Sequence, residues 1–204
     1  IPIPHYLGGA HYTWQLLNNN FEGGCFFQEI TTRLDRGDII DKHLFQIPKE
    51  AKTSTDFFVE NVEQGLNFIS LLADKFIQGI GFSRQAYKDI NDNRLYLPRL
   101  RTDKQGFINW QWSAEEVVSF ARGFDKPYIG AGTFINDELV RFSGLSLAEA
   151  GQPMHPFASG LIVRKTNNQF IVAAPQGFIH IDKVVNEQGD CIKTELKEGM
   201  RFYT

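Results

Sequence analysis

Sulfur is scarce in this sequence: its 204 residues include two cysteines, Cys25 and Cys191, and two methionines. Two distant cysteines make neither a C-x-x-C pair nor a disulfide framework, so a reducing cytoplasm is the expected compartment. Cys25 stands in an apolar run and reads as a packed small residue rather than a nucleophile. Long apolar stretches are missing too. None approaches the ~20 residues that cross a bilayer, so no membrane partner is expected. A surplus of one charge is also absent: the net charge of −3 argues against a protein that coats nucleic acid. There is no G-x-S-x-G, P-loop or dinucleotide fingerprint and no internal repeat. The opening IPIPHYLGG has neither an initiator Met nor a signal-peptide pattern, and reads as a start in mid-domain. Without a secretory signal, the tripeptide Arg36-Gly37-Asp38 makes a poor adhesion motif.

What is present divides the chain. Ala10, Trp14 and Leu17 share a helical face, and Asn18-Asn19-Asn20 with Gly23-Gly24 break it. CFFQEI and IIDKHLFQIP read as strands flanking the loop TTRLDRG, and their poor alternation suggests buried strands of a mixed sheet rather than a half-exposed hairpin. From Thr53 to Ile80 the period changes. Phe58, Val62, Leu66, Ile69, Ala73 and Phe76 recur every three or four residues, as one buried stripe of a long helix would. Thr53 and Thr55 are candidate N-caps, and Gly79 with Gly81 ends the helix. A polar stretch near 82–106, holding Asn91-Asp92-Asn93, suits a surface linker. Ser113 and Glu116 form a capping box before Val117, Phe120, Ala121 and Phe124. GLIVRK, QFIVAA and GFIHIDKVV are short strands around turns at Thr166-Asn167-Asn168 and Pro175-Gln176-Gly177, and Gly144 to Pro156 reads as a long loop among them. The expected organisation is α/β over residues 1–105, followed by a linker helix and a small β domain over 106–204.

Chemistry is less legible. Asp35, Asp38 and Asp41 crowd one segment, and ordinary solvated carboxylates account for them. His43 alternates with Asp41, but two ligands without others converging do not make a metal site, and none is expected.

Four stretches carry a family likeness. PHYLGGAHYTW is similar to the motif L-L-P-x-x-R-G-A-x-x-x-x-W of the folate-dependent formyltransferases, through Pro4, Gly8 and Trp14, with Gly9 replacing alanine. Leu34, Asp35, Gly37 and Ile39 match that family's L-D-x-G-x-I. FINWQWSAEEVVSFARGFDKPYIGAGTF resembles its linker helix and turn, and GLIVRK to FIHIDKVV its C-terminal OB-like barrel. The resemblance covers nearly the whole chain. It implies the C-terminal part of a Rossmann-like formyltransferase domain followed by an OB-like β-barrel. It places the catalytic aspartate at Asp35 and the folate-binding loop at Ile30, Thr31, Thr32, Arg33 and Leu34. Leu7 stands where many members have arginine. The family's Asn-x-His pair aligns ahead of Ile1, and neither His5 nor His11 fits that slot.

The implied reaction is formyl transfer from 10-formyltetrahydrofolate, as co-substrate, to a primary amine. The chain by itself is expected to be inert, because the Asn and His are not in it. From Arg141 onward, bases and acids nearly balance and only Arg164-Lys165 forms a basic pair. A small amine acceptor such as an amino-sugar nucleotide is therefore favoured over tRNA, whose binding draws on clustered cations. A homodimer is compatible with all of this. Two alternatives stay open: a 10-formyltetrahydrofolate hydrolase, and a non-catalytic module whose barrel stacks bases on Phe170 and Phe178.

Overall fold

The computed structural model describes residues 5–87, 95–166 and 169–204. The chain is mixed α/β and falls into two compact units. One runs to Arg99; the other spans Leu100–Thr204 and takes in Leu16–Asn18. Pro4 of the first motif, Asn91-Asp92-Asn93 and Asn167-Asn168 lie outside the described residues.

In the first unit, β1 (Leu7–Gly8) pairs in parallel with β4 (Tyr96–Leu97), and the short helix α1 (His11–Leu17) follows β1. Strands β2 (Glu22–Gln28) and β3 (Ile39–Gln46) form an antiparallel pair with a bulge at Phe27/Gln28. Only Gly23, Gly24 and Ile39 of these strands are buried. The expectation of buried strands in a mixed sheet gives way to a half-exposed hairpin.

Helix α2 (Ser54–Ile77) starts where the sequence places it. Thr53 Oγ1 accepts from Asp56 N–H, and Asp56 Oδ2 accepts from Thr53 N–H at 2.8 Å, so two orphan donors are satisfied reciprocally. Gln78 caps the far end and Gly79 turns left-handed at φ +67°. Its buried face is not the expected one. Phe57, Phe68 and Leu72 are buried, whereas Phe58, Val62, Leu66, Ile69 and Phe76 face outward, each 44–63% exposed. The helix is apolar on two faces. The hairpin takes the narrower one: Phe57 packs against Phe21 (ring centroids 5.4 Å), Phe68 against His43 (6.1 Å), and Cys25 Sγ meets Asn61 O at 3.9 Å.

The second unit opens with α3 (Thr102–Gln105) and α4 (Ala114–Gly123). The α4 capping box is made as its sequence predicts, with Glu116 Oε2 accepting from Ser113 N–H at 2.8 Å. A five-stranded antiparallel sheet of order β5-β6-β9-β8-β7 follows, built from β5 (Ala131–Ile135), β6 (Glu138–Ala148), β7 (Ile162–Lys165), β8 (Phe170–Ala174) and β9 (Gly177–Asn186). The stretch from Gly144 is thus not a loop up to Pro156. It carries the end of β6, which pairs through Ala148 with Phe178, and Gly144 itself bends the strand at φ +69°. The sheet is an open ladder rather than a closed barrel. The tail adds single bridges at both edges, Phe134 to Tyr203 and Leu161 to Arg201. Ile108, Val117, Phe124, Phe142, Phe170, Ile179 and Phe202 fill the core.

Candidate functional site

The segment proposed from sequence is the ten-residue connection between β2 and β3. Its base is rigid. Glu29 N–H donates to Asp38 O at 2.9 Å, and Gln28 Nε2 to Gly37 O at 2.7 Å. Arg84 pairs with Glu29 and lies 3.6 Å from Asp38 Oδ2, while Asp38 Oδ1 accepts from Tyr87 N–H at 2.9 Å. Gly37 is obligatory in the plainest sense: a Cβ there would sit 1.8 Å from the Glu29 carbonyl oxygen. These contacts also explain Arg36-Gly37-Asp38. The glycine permits a close backbone approach and the aspartate ties the loop's exit, so the tripeptide is structural.

Above that base the tip projects. Thr31 Oγ1 donates to Arg33 O at 2.7 Å and accepts from Arg33 N–H, a local turn that sets up Leu34 and Asp35. Asp35 takes the left-handed conformation, φ +52°, which an aspartate tolerates better than most residues. Ile30 is 96% exposed and Leu34 90%, and Thr31, Thr32, Arg33 and Asp35 are all exposed with them. The structure therefore brings the six sequence-predicted residues together on one loop, without a cavity closed around them among the described residues.

Other candidates sort differently. Asp41 pairs with Lys75, which holds its carboxyl below the usual range, and His43 Nε2 meets Gln64 Oε1 at 3.1 Å. Both line a cavity of about 340 Å³ with Phe68 and Leu72, which sequence reading missed because its walls come from β3 and the far end of α2. No group of three or more metal-ligating side chains occurs among the described residues. His11 is largely buried against Tyr12, and burial lowers its pKa to about 4, so it stays neutral near pH 7. In the second unit Phe170 and Phe178 are core residues, 0% and 5% exposed, and cannot stack bases. The most exposed aromatic there among the described residues is Phe157, with the Arg201 guanidinium 4.8 Å from its ring centre, beside a groove of about 600 Å³. No described helix is long and apolar enough to cross a membrane.

The chain has known counterparts in both sequence and fold. Residues 101–196 match the protein family "Formyl transferase, C-terminal domain". The methionyl-tRNA formyltransferase of Thermodesulfovibrio yellowstonii is 28% identical over 213 residues, covering 99% of this chain and 64% of that protein. That of Lactococcus lactis subsp. cremoris is 25% identical over 181 residues, covering 88% and 54%. The chain thus spans little more than half the length of such relatives. Among solved structures, the sugar 3N-formyl transferase WlaRD, crystallised with dTDP and 5-N-formyl-THF, superposes with TM-score 0.62 at 22% identity, covering 88% of this chain and 61% of its own. The N-formyltransferase of Helicobacter canadensis, in complex with folinic acid and dTDP-3-aminofucose, superposes with TM-score 0.64 at 20% identity, covering 88% and 62%. At those identities the structures speak for the fold. Together with the family match and the curated relatives, they show the resemblance to folate-dependent formyltransferases that the motifs carry.

Proposed function

We propose that this chain carries the folate-facing loop and the C-terminal domain of an enzyme that transfers a formyl group from 10-formyltetrahydrofolate to a primary amine. One observation supports the reading most: Leu34-Asp35-Arg36-Gly37-Asp38-Ile39 forms a loop braced at its base and open at its tip, with Asp35 free of protein partners among the described residues. Two exposed apolar side chains, Ile30 and Leu34, flank an uncommitted carboxylate there. They form, in this reading, a wall for a pterin, whose apolar face lies on Ile30 and Leu34. In this reading the first unit is the C-terminal part of a Rossmann-like domain, the second is OB-like in ancestry, and the protein works in the cytoplasm.

The chemistry is balanced as follows. The amine lone pair attacks the formyl carbon, a C–N bond forms, and the carbonyl π pair moves to oxygen. Collapse of that intermediate breaks the bond to N10, and the proton shed by the amine nitrogen is passed to N10 as tetrahydrofolate leaves. Asp35 is the relay for that proton, a role that contributes roughly 10²–10⁴-fold in rate. Hydrogen-bond donors for the developing oxyanion belong to the Asn-x-His stretch that aligns ahead of Ile1. The chain alone is therefore expected to transfer no formyl group.

The test is Asp35→Asn in a protein that supplies that stretch. Transfer falls by at least two orders of magnitude while the circular dichroism spectrum is unchanged. Undiminished transfer in the variant, or transfer by the 204-residue chain alone, removes the mechanism. For the acceptor, the balanced charge of the second unit supports an amino-sugar nucleotide. The curated relatives, methionyl-tRNA formyltransferases over 88–99% of this chain, support methionyl-tRNA. Water as acceptor, which makes a hydrolase, is distinguished by formate release that no amine accelerates.

A further inference from the structure

A single exposed phenylalanine calls for no account. Phe157 does, because it is held still and stacked on a charge. His155 Nδ1 accepts from Phe157 N–H at 3.1 Å, and Ser159 Oγ donates to Pro156 O at 2.7 Å, so the turn that carries the ring is tied before and after it. The Arg201 guanidinium lies over the ring, 4.8 Å from its centre. Arg201 is itself anchored. Its backbone bridges to Leu161, and the next residue, Phe202, donates its N–H to Gly160 O at 2.8 Å and stacks on Trp110 at 5.9 Å. Ring and guanidinium are thus fixed against each other.

The guanidinium's own donors are unspent. Arg201 is half-buried, yet its side chain makes no ion pair and no hydrogen bond with any described residue. Five N–H donors in a planar fork, partly out of water, therefore lack acceptors. They border the groove of about 600 Å³, a volume of the order that small-molecule sites take. Its walls include the rings of Trp110, Phe157, Phe202 and Tyr203, and Arg201 is the one charged side chain among the described residues that line it. That charge count selects the ligand. One guanidinium with no carboxylate beside it matches one negative charge, and a carboxylate meets the fork with two parallel hydrogen bonds. A phosphate monoester brings close to two charges at neutral pH and would leave one unmatched. A nucleic-acid strand needs a row of cations, which the groove does not have. Aromatic walls favour a flat apolar body.

We propose that this groove binds a small aromatic carboxylate. The carboxylate accepts from the Arg201 guanidinium in the plane that Phe157 sets, and the ring lies against the aromatic walls. The site is confined to the second unit and holds whether or not the chain serves in formyl transfer.

The experiment titrates the 204-residue chain with naphthoate, followed by calorimetry and by amide chemical shifts. Binding saturates at one equivalent, and the shifts centre on Phe157, Ser159 and Arg201. Acetate has the charge without the ring, and naphthyl methanol the ring without the charge; each binds about tenfold more weakly or worse. Arg201→Gln weakens naphthoate by about tenfold or more, the loss of a charge-assisted pair. Arg201→Lys, which keeps the charge and loses the fork, falls between. Phe157→Ala sits at an exposed position, leaves the thermal midpoint unchanged and weakens naphthoate about threefold or more. Four results overturn the proposal: no saturable binding of naphthoate; shifts that centre elsewhere; naphthyl methanol binding as well as naphthoate, which makes the groove an apolar crevice; or naphthyl phosphate binding better, which gives it to phosphate ligands. If Arg201→Gln does not fold, Arg201→Lys and Phe157→Ala carry the test, and undiminished binding in both refutes the site. No readout involves formyl transfer, so the site and the enzyme reading fail separately.

Discussion

Gly37→Ala tests whether the loop's shape is dictated at its base. The added methyl carbon would lie 1.8 Å from Glu29 O and 2.7 Å from Glu29 C, both backbone atoms that no rotamer change can move. Relief requires the two backbones to separate by more than an ångström, and that breaks the bonds bridging them. Glu29 N–H to Asp38 O (2.9 Å) and Gln28 Nε2 to Gly37 O (2.7 Å) are the ones in the way. At ~0.5–1.5 kcal/mol net each, their loss costs about 1–3 kcal/mol. Against this stands the stiffening of the unfolded chain by alanine, worth ~0.4–1 kcal/mol. The clash wins, leaving a net loss on the order of 1–2 kcal/mol. Urea unfolding of the full chain, followed at 222 nm where the 24-residue α2 supplies most of the helical signal, reads this as a lower midpoint with unchanged slope. A midpoint equal to or above the parent's would refute the close approach, and with it the account of why this motif needs a glycine two residues after its aspartate.

His11 makes the first unit acid-sensitive. Its folded pKa is lowered to about 4 by burial, from an ordinary value of 6.5, so the unfolded chain binds a proton that the folded one refuses. Stability is complete above pH ~6.5 and declines as pH falls through the window towards ~4; His11→Gln flattens the urea midpoint across that window. Asp125 holds the turn after α4 through Gly144 N–H (2.9 Å to Oδ2) and Lys126 N–H (2.8 Å to Oδ1), and is 8% exposed. Asp125→Ala removes both bonds, whose donors Lys126 and Gly144 are exposed enough to turn to water, so the loss is ~0.5–1.5 kcal/mol each; the melting temperature of the second unit falls by several degrees, while Asp125→Asn recovers part of the loss.

Where local chemistry decides, the structure was readable in advance. Thr53, one of two candidate caps, and the Ser113–Glu116 box specify their helix starts within a few residues of chain, and both caps form, the first as a box with Asp56. Pattern that depends on the rest of the fold was not. The best 3.6-period stripe in the chain, Phe58 to Phe76, faces out because the hairpin takes the other apolar side, and periodicity cannot rank two such faces. The end of β6, from Gly144 to Ala148, reads as the start of a loop because Gly144 and Ser146 dilute its pattern. The stronger clue was Asn136-Asp137, whose left-handed pair (φ 49° and 64°) is the turn chemistry that starts a hairpin. For the candidate site, the sequence marks the loop and the aspartate, while the Arg84–Glu29–Asp38 brace that shapes them comes from a residue about fifty positions away and leaves no local signature.

The acceptor turns on what the cations of the second unit are already doing. Lys165 Nζ donates to Leu196 O at 2.6 Å, Lys193 Nζ to Asp182 O at 3.0 Å, and Arg101 is paired with Asp103 at 2.6 Å. Arg201 lies over the Phe157 ring. Binding to a phosphate backbone gains affinity when cations that can turn towards it displace its condensed counterions into solvent, and these would first have to give up carbonyls, a carboxylate or a ring. If only two or three phosphates are neutralised, log K against log salt falls with a slope of about −2 to −3. Measured with tRNA between 50 and 200 mM salt, that shallow line is the expected result for a small-amine enzyme that meets nucleic acid only incidentally. A slope of roughly −6 or steeper would mean that the tied cations do let go, and the acceptor is then the methionyl-tRNA of the curated relatives.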